Sequence, residues 1–260
     1  MKKNFEQWII RVDETDSTNL HLRRIAETEQ LGSGSILVAD FQTAGRGQAG
    51  NSWESEVGKN LTFSVLFYPT DVPAGRFFVI AQMAALSMKN TLDPYISDVC
   101  VKWPNDVYCG DRKIAGILIE NTIFQGKITQ SIIGIGLNVN QTFFHFESAD
   151  SPQPTSLKQI TGCSYDRWAI LDDFQRTFTE QAERLNKGFL DAVHTDYIDT
   201  LYHKNGYHLY RDEQGEFEAT FHDIALSGHL VLERRDGHLS HYDFKTVRQV
   251  IRFSRENHSR

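Results

Sequence analysis

The fold of this chain is decided around one glycine-rich stretch, TAGRGQAGNSW, which occupies residues 43–53. It separates two runs with strand character, 35–39 and 61–67. Glycine lets a loop adopt positive φ and bring backbone N–H groups close to an anion. The arginine fork suits a carboxylate or a phosphate, and the indole can stack on a flat ring. The stretch therefore predicts a loop that closes over a charged small molecule, and a plain solvated connection is the alternative.

Length, charge and cysteine content narrow the class of protein. A chain of 260 residues can bury a sizeable core. Its net charge of −7 argues against a general nucleic-acid surface. Three cysteines, Cys100, Cys109 and Cys163, show no paired spacing, which favours a reducing compartment. No signal peptide or membrane-spanning run is evident. We expect a cytoplasmic protein that binds neither nucleic acid nor membrane.

Strands and helices are predicted from hydrophobic periodicity and turn residues. One helix is expected to begin after a cap at Asp16 or Ser17, and a second to occupy 77–92. A third carries an apolar stripe from Ile170 to Phe189. Further strands are expected at 5–12, 99–103, 107–109, 114–123 and 127–135, of which the last three suggest an antiparallel meander.

The pattern changes after residue 205. Short strands at 207–210, 217–224, 229–233 and 240–244 are separated by glycine turns, which predicts a small β-barrel. We expect the domain boundary at 204–206.

Four segments gather polar residues that packing does not require. They are 16–19 (DSTN), the glycine-rich stretch with Gln42 before it, 101–107 (VKWPNDV), and 111–116 (DRKIAG) followed by 134–140. A helix N-cap, a solvated loop, a turn with a salt bridge and a charged hairpin would explain them without function. Gly116 is harder to explain this way, because glycine inside a strand costs stability unless something approaches the backbone closely.

Taken in order, these segments resemble the biotin–protein ligase family in its short, monofunctional form. The resemblance implies an α+β fold with a mixed, largely antiparallel sheet and flanking helices, similar to a class II synthetase. It places a catalytic domain at 1–205 and an SH3-like β-barrel at 206–260. No DNA-binding domain is expected ahead of Ser17, and a monomer or a homodimer is expected.

The resemblance also implies a reaction. Biotin and MgATP form biotinyl-5′-AMP, and the biotinyl group passes to one lysine of a biotin carboxyl carrier protein domain. Arg46 and Lys113 are the cations expected to stabilise the charge that develops between two anions. Asp106 is expected to orient or deprotonate the acceptor amine.

The other site residues carry over by position. Biotin is expected to bind at Ser17, Thr18, Gln42, Gly45, Arg46, Lys113 and Gly116. The nucleotide is expected at Gln48, Trp53, Lys102, Asn105 and Asn138; Lys102 either touches the ligand or braces Asp106. Many family members carry basic residues where this chain has Gln48 and Asn51, so we expect Gln48 to keep a neutral hydrogen bond to the ligand. No structural zinc is expected, and the residues that bind Mg²⁺ are not predicted.

Two other functions fit the same pattern. One is transfer of lipoate or octanoate, and the other is a regulator that binds biotin without turnover.

Overall fold

The computed structural model describes residues 7–145 and 153–251. Two compact units make up the chain, and the division lies between Tyr202 and His203. The elements of the first unit are β1 (Ile9–Thr15), α1 (Thr18–Thr28), β2 (Ile36–Gln42), β3 (Leu61–Phe67), α2 (Phe78–Leu92), β4 (Val99–Lys102), β5 (Asp106–Cys109), β6 (Arg112–Phe124), β7 (Lys127–Leu137), α3 (Leu157–Thr161), α4 (Arg167–Asn186) and α5 (Leu190–Asp199).

The first unit is built on a seven-stranded sheet with the order β1-β2-β3-β7-β6-β5-β4. The β1–β2 pair is parallel and the other neighbouring strands are antiparallel. The expected mixed, largely antiparallel sheet with flanking helices is therefore confirmed.

The two faces of this sheet are covered differently. Successive residues of a strand point to opposite faces. On one face, Phe63 of β3 packs edge-on against Phe174 of α4, with ring centroids 4.9 Å apart. On the other face, Leu22 of α1 packs with Leu37 and Leu66 in a fully buried cluster. This second face, which α1 shares with even-numbered residues of β3, is the one that carries the polar segments.

Several elements differ from the sequence prediction. The long helix ends at Asn186 rather than including Phe189, because Gly188 adopts a φ of 86° and caps the helix end. Helices α3 and α5 were not predicted. The first strand begins at Ile9, and the start of the range predicted for it lies outside the described residues.

The second unit contains a five-stranded antiparallel sheet with the order β11-β10-β9-β8-β12. Its strands are β8 (His208–Asp212), β9 (Gly215–Ile224), β10 (Leu230–Arg234), β11 (Leu239–Tyr242) and β12 (Arg248–Gln249). The first four match the predicted short strands, and β12 is additional. This confirms the small, SH3-like β domain.

A search of the described helices finds none with the length and apolar character needed to span a membrane.

Candidate functional site

One row of directly paired residues crosses five strands on the α1 face of the first sheet. Cross-strand partners point to the same face, and the successive partners are Thr62, Gly136, Gly116, Asp106 and Lys102. Two glycines in the middle of this row leave a shallow floor without side chains. The row therefore forms a cleft whose far end is charged.

The indole of Trp53 lies on this floor. A Cβ atom on Gly136 would overlap the indole ring, and one on Gly116 would lie 3.0 Å from it. The close approach that Gly116 required is thus made by the tryptophan of the glycine-rich stretch. The Trp53 Nε1 donor and the Asn138 Oδ1 acceptor are both buried without a hydrogen-bond partner in the described part of the chain. Buried polar atoms are nearly always paired, so this orphaned donor and acceptor indicate a place for a ligand.

A β-bulge brings Lys113 onto the same face. Val107 pairs with Ala115 while Tyr108 pairs with Lys113, so Ile114 is one extra residue on β6. Such a bulge re-aims a side chain. The Lys113 Nζ atom lies 2.7 Å from Asp106 Oδ1 and 5.7 Å from the centroid of the Trp53 ring.

Lys102 lies beside this pair but does not form a salt bridge with Asp106. Within the described ranges no carboxylate lies within 4.0 Å of its ammonium; its Nζ atom sits 5.2 Å from the ring centroid of Tyr108. Burial lowers the pKa of Lys102, and the charge of Asp106 opposes this shift. Asp106 thus forms its ion pair with Lys113, and both roles predicted for Lys102 stay predictions.

Asn105 holds the turn that carries Asp106. Its amide nitrogen donates to the carbonyl of Ile117, and the Ile117 N–H donates back to the Asn105 carbonyl at 3.1 Å. The preceding Trp103–Pro104 peptide is cis. The side chain of Asn105 thus fixes β5 against β6, and its predicted contact with the nucleotide stays a prediction.

An uncharged hydrogen-bond network forms the other end of the cleft. The amide oxygen of Gln42 accepts from the Thr18 N–H at 2.8 Å and from the Thr18 hydroxyl at 3.1 Å. This fixes the Gln42 amide so that its Nε2 lies beside Gly45, 3.3 Å from where a Cβ would stand. Ser17 occupies the N-cap position of α1, but its hydroxyl does not cap the helix. The Ser17 hydroxyl and the Gln42 Nε2 thus remain available to a ligand, whereas the Gln42 amide oxygen is used within the network.

Asp16, next to Ser17, is held by Arg24. Two hydrogen bonds from the guanidinium, 2.8 and 2.9 Å long, keep the pKa of Asp16 well below its usual range. It fixes the start of α1 rather than facing the cleft as a free base.

The glycine-rich stretch folds back on itself between β2 and β3. The Trp53 N–H donates to the Gly45 carbonyl at 3.0 Å, and Arg46 bridges to Ser52. Gly45 has no room for a side chain, because a Cβ would overlap the Trp53 carbonyl oxygen. Arg46 is ion-paired with Glu120 at 3.0 Å. Gln48 begins a short 3₁₀ turn and is half-buried.

The predicted site residues thus group at three places: the glycine floor, the charged end and the Thr18–Gln42 network. Sequence reasoning missed Ser64 and Glu120, which complete the polar contacts around α1. Neither residue stands in a polar segment, and only the strand register reveals which face each occupies. The described residues contain no cluster of three or more His, Cys, Asp or Glu side chains arranged to hold a metal ion.

Comparison with known proteins identifies relatives with the same fold. The chain is 30% identical over 176 residues to the bifunctional ligase/repressor BirA of Bacillus spizizenii, which covers 67% of this chain and 54% of that protein. It is 34% identical over 160 residues to the biotin–[acetyl-CoA-carboxylase] ligase of Mycobacterium tuberculosis, covering 60% and 57%. The matched region thus spans little more than half the length of these curated relatives.

A solved structure extends the likeness to both units. The biotin protein ligase from Aquifex aeolicus, in complex with biotin and ATP, matches with a TM-score of 0.74 and 25% identity, covering 94% of this chain and 100% of that one. The model of the biotin/lipoate A/B protein ligase family matches residues 9–138, which is half of the chain and includes the floor, the charged end and the Thr18–Gln42 network. The chain therefore belongs to the biotin/lipoate A/B protein ligase family.

Proposed function

We propose that this protein activates biotin with MgATP as biotinyl-5′-AMP and transfers the biotinyl group to one lysine of a biotin carboxyl carrier protein domain. The observation that carries the proposal is the row from Thr62 to Lys102, which places a neutral polar network and a cluster of charges at the two ends of one glycine floor. A ligand with a neutral polar head and a carboxylate matches the chemistry of these two ends.

In the first half-reaction a carboxylate oxygen of biotin attacks the α-phosphorus of ATP, and pyrophosphate leaves. Both reactants are anions, so the protein must supply positive charge. Lys113 offers three N–H donors, of which Asp106 engages one. Arg46 brings a second cation to the loop side of the cleft. Lys102 adds a charge that no neighbouring carboxylate in the described ranges neutralises.

The neutral end suits the ureido group of biotin. That group carries one carbonyl acceptor and two N–H donors, which match hydroxyl and amide partners. Ser17, Thr18 and the Nε2 of Gln42 supply them, and the fixed Gln42 rotamer lowers the entropy lost on binding.

The orphaned atoms of Trp53 and Asn138 suit an adenine ring. Adenine presents both donors and acceptors on its edge and a flat face for stacking, and the unpartnered atoms of Trp53 and Asn138 support its assignment to this part of the site. Gln48 is assigned to the same part of the site.

In the second half-reaction the acceptor amine attacks the carbonyl carbon of the mixed anhydride, the bond to AMP oxygen breaks and AMP leaves. The amine must give up a proton, and we assign its orientation to the Asp106 carboxylate, which lies at the edge of the floor beside Lys113. Acetyl-CoA carboxylase is named as the substrate of the Mycobacterium tuberculosis relative, so its carrier domain is the first acceptor to test.

The test is mass spectrometry of a carrier domain incubated with the protein, biotin and MgATP. One added biotinyl group on one lysine is expected, and Lys113→Ala should greatly reduce it because the pyrophosphate-forming step loses one of its three cations. Lys187→Ala, which removes a lysine from an exposed ion pair on α4, is the matched control and should transfer normally.

Three outcomes would contradict the proposal. Transfer of lipoate or octanoate in place of biotin would assign the alternative acyl group. Biotin binding without release of pyrophosphate would assign a regulator. Absence of biotin binding by a folded protein would remove the proposed substrate altogether.

A further inference from the structure

The carboxylate of Glu120, on β6, contacts side chains from two separate parts of the chain. Its Oε1 atom lies 3.0 Å from Arg46 Nη2 of the glycine-rich stretch. Its Oε2 atom lies 3.3 Å from Arg23 Nη2 and accepts a 3.0 Å hydrogen bond from Asn19 Nδ2, both on α1. The carboxylate is largely buried, with 19% of its side chain exposed.

We infer that Glu120 is a positioning residue, which holds Arg46 in place for the binding of biotin. The inference rests on the proposed function and adds a residue to its site. Gly116, Leu118 and Glu120 are alternate residues of β6 and so share the face that carries the cleft. Arg46, which belongs to a loop containing three glycines, is thereby fixed to a strand of the sheet.

A continuous chain of hydrogen bonds links this carboxylate to the Thr18–Gln42 network. Asn19 donates to Glu120, and its Oδ1 atom lies 2.6 Å from the Ser64 hydroxyl. The same hydroxyl lies 2.7 Å from Thr18 Oγ1, which in turn donates to Gln42. The residues expected to hold the ureido group are thus connected to Arg46 through the buried side chains of Asn19 and Ser64. Such a connected network fixes Arg46 relative to these residues.

The ion pair orients Arg46 without using up its donors. One terminal nitrogen contacts Glu120, whereas a guanidinium carries five N–H groups, and 40% of the Arg46 side chain is exposed. Arg23 provides a second positive charge beside the same carboxylate. The Glu120 charge is therefore offset and does not repel an anionic ligand from Arg46.

Loss of the carboxylate should weaken biotin binding through Arg46. In Glu120→Ala the arginine samples more rotamers, and ordering it on binding costs free energy. We expect the biotin Kd, measured by calorimetry without ATP, to rise about tenfold, the usual scale for a lost charge-assisted contact. Glu120→Gln retains an acceptor for Arg46 and should restore part of the affinity.

A double-mutant cycle separates positioning from a merely structural role. If Glu120 acts through Arg46, then adding Glu120→Ala to Arg46→Ala should not raise the biotin Kd further. The KM for the carrier domain should stay unchanged in Glu120→Ala, in Arg46→Ala and in the double variant. Glu183→Ala, which removes a glutamate from an exposed ion pair on α4, is the matched control.

Each result has one meaning. Additive effects in the cycle, or an unchanged biotin Kd in both Glu120 variants, would overturn the positioning role while leaving the proposed function intact. Failure of the wild-type protein to bind biotin would instead overturn the proposed function. Arg46 and Arg23 are both substantially exposed, so neither becomes a buried unpaired charge and the variants should fold. If Glu120→Ala does not fold, the same double-mutant cycle is measured with Glu120→Gln.

Discussion

At the scale of single residues, the charged end of the cleft holds two lysines and one carboxylate. Lys113 forms a salt bridge with the carboxylate of Asp106. Lys102 lies near the ring of Tyr108, and burial lowers the pKa of its ammonium. A buried ammonium without a salt-bridge partner costs stability. A protein keeps such a charge where an anionic ligand uses it, and the phosphates of ATP are the anions proposed here.

Lys102→Met is expected to separate the effect of this charge on MgATP binding from its effect on stability. The KM for MgATP should rise about tenfold because one charge-assisted contact is lost. The melting temperature should not fall, since methionine fills the space without a desolvated charge. Steady-state pyrophosphate release and thermal unfolding measure these quantities. Lys127→Met, at an exposed ion pair with Asp71, serves as the control. A KM equal to that of the wild type would contradict the assignment.

The limits of sequence reasoning are clearest at this scale. The residues of the segments 101–107 and 111–116, such as Asp106 and Lys113, could be named because polar groups cluster there beyond the needs of packing. Ser64 and Glu120 could not, since both lie inside runs whose hydrophobic pattern predicts only a strand. Their partner Asn19 lies 45 and 101 residues away in sequence, so only the folded register brings them together.

At the scale of elements, the cleft depends on a floor without side chains. Gly116 and Gly136 are paired across β6 and β7, and the bulge next to them turns Lys113 towards the indole of Trp53. Most strands and helices could be predicted from periodicity, including β3 at Leu61–Phe67. The bulge could not, because an extra residue leaves no signal in the hydrophobic pattern. The end of α4 was misplaced because the apolar stripe continues past Gly188.

Gly136→Ala should displace Trp53 without unfolding the sheet. The added methyl group overlaps the indole but points away from the Phe63–Phe174 core. We expect the proteolysis rate within residues 43–53 to rise and adenylate formation to fall at least about tenfold, on the scale of a lost aromatic contact. Gly75→Ala is the control, because its Cβ would meet open space. An unchanged proteolysis rate together with normal adenylate formation would show that the position of the Trp53 indole does not depend on a glycine at residue 136.

At the scale of the whole molecule, every residue assigned to the cleft lies in the first unit. That unit has its own buried core, and it is closed by backbone hydrogen bonds of Val101 to Thr200 and Tyr202, 2.9 and 2.8 Å long. The division into an α+β unit and a small β unit was predictable from the change in strand spacing. The role of the second unit was not, because its short strands and turns form no polar segment comparable to those of the first.

A chain shortened to residues 1–204 should therefore fold and bind biotin with a Kd within about twofold of the full-length value, a change smaller than the loss of one hydrogen bond. Circular dichroism and calorimetry provide the measurements. If the shortened protein keeps its biotin Kd but needs more MgATP or more carrier domain, the second unit contributes to that step. A folded fragment that no longer binds biotin would show that the first unit is not sufficient.

The position of Trp53 on the glycine floor gives the molecule a built-in optical reporter. The indole is half-buried 5.7 Å from a lysine ammonium, and any ligand that enters the floor must change its surroundings. Its fluorescence intensity and emission maximum should therefore shift with occupancy. The chain has four tryptophans, so the spectrum of Trp53→Phe subtracted from that of the wild type isolates this signal. Binding and release at the cleft can then be followed in real time without a label.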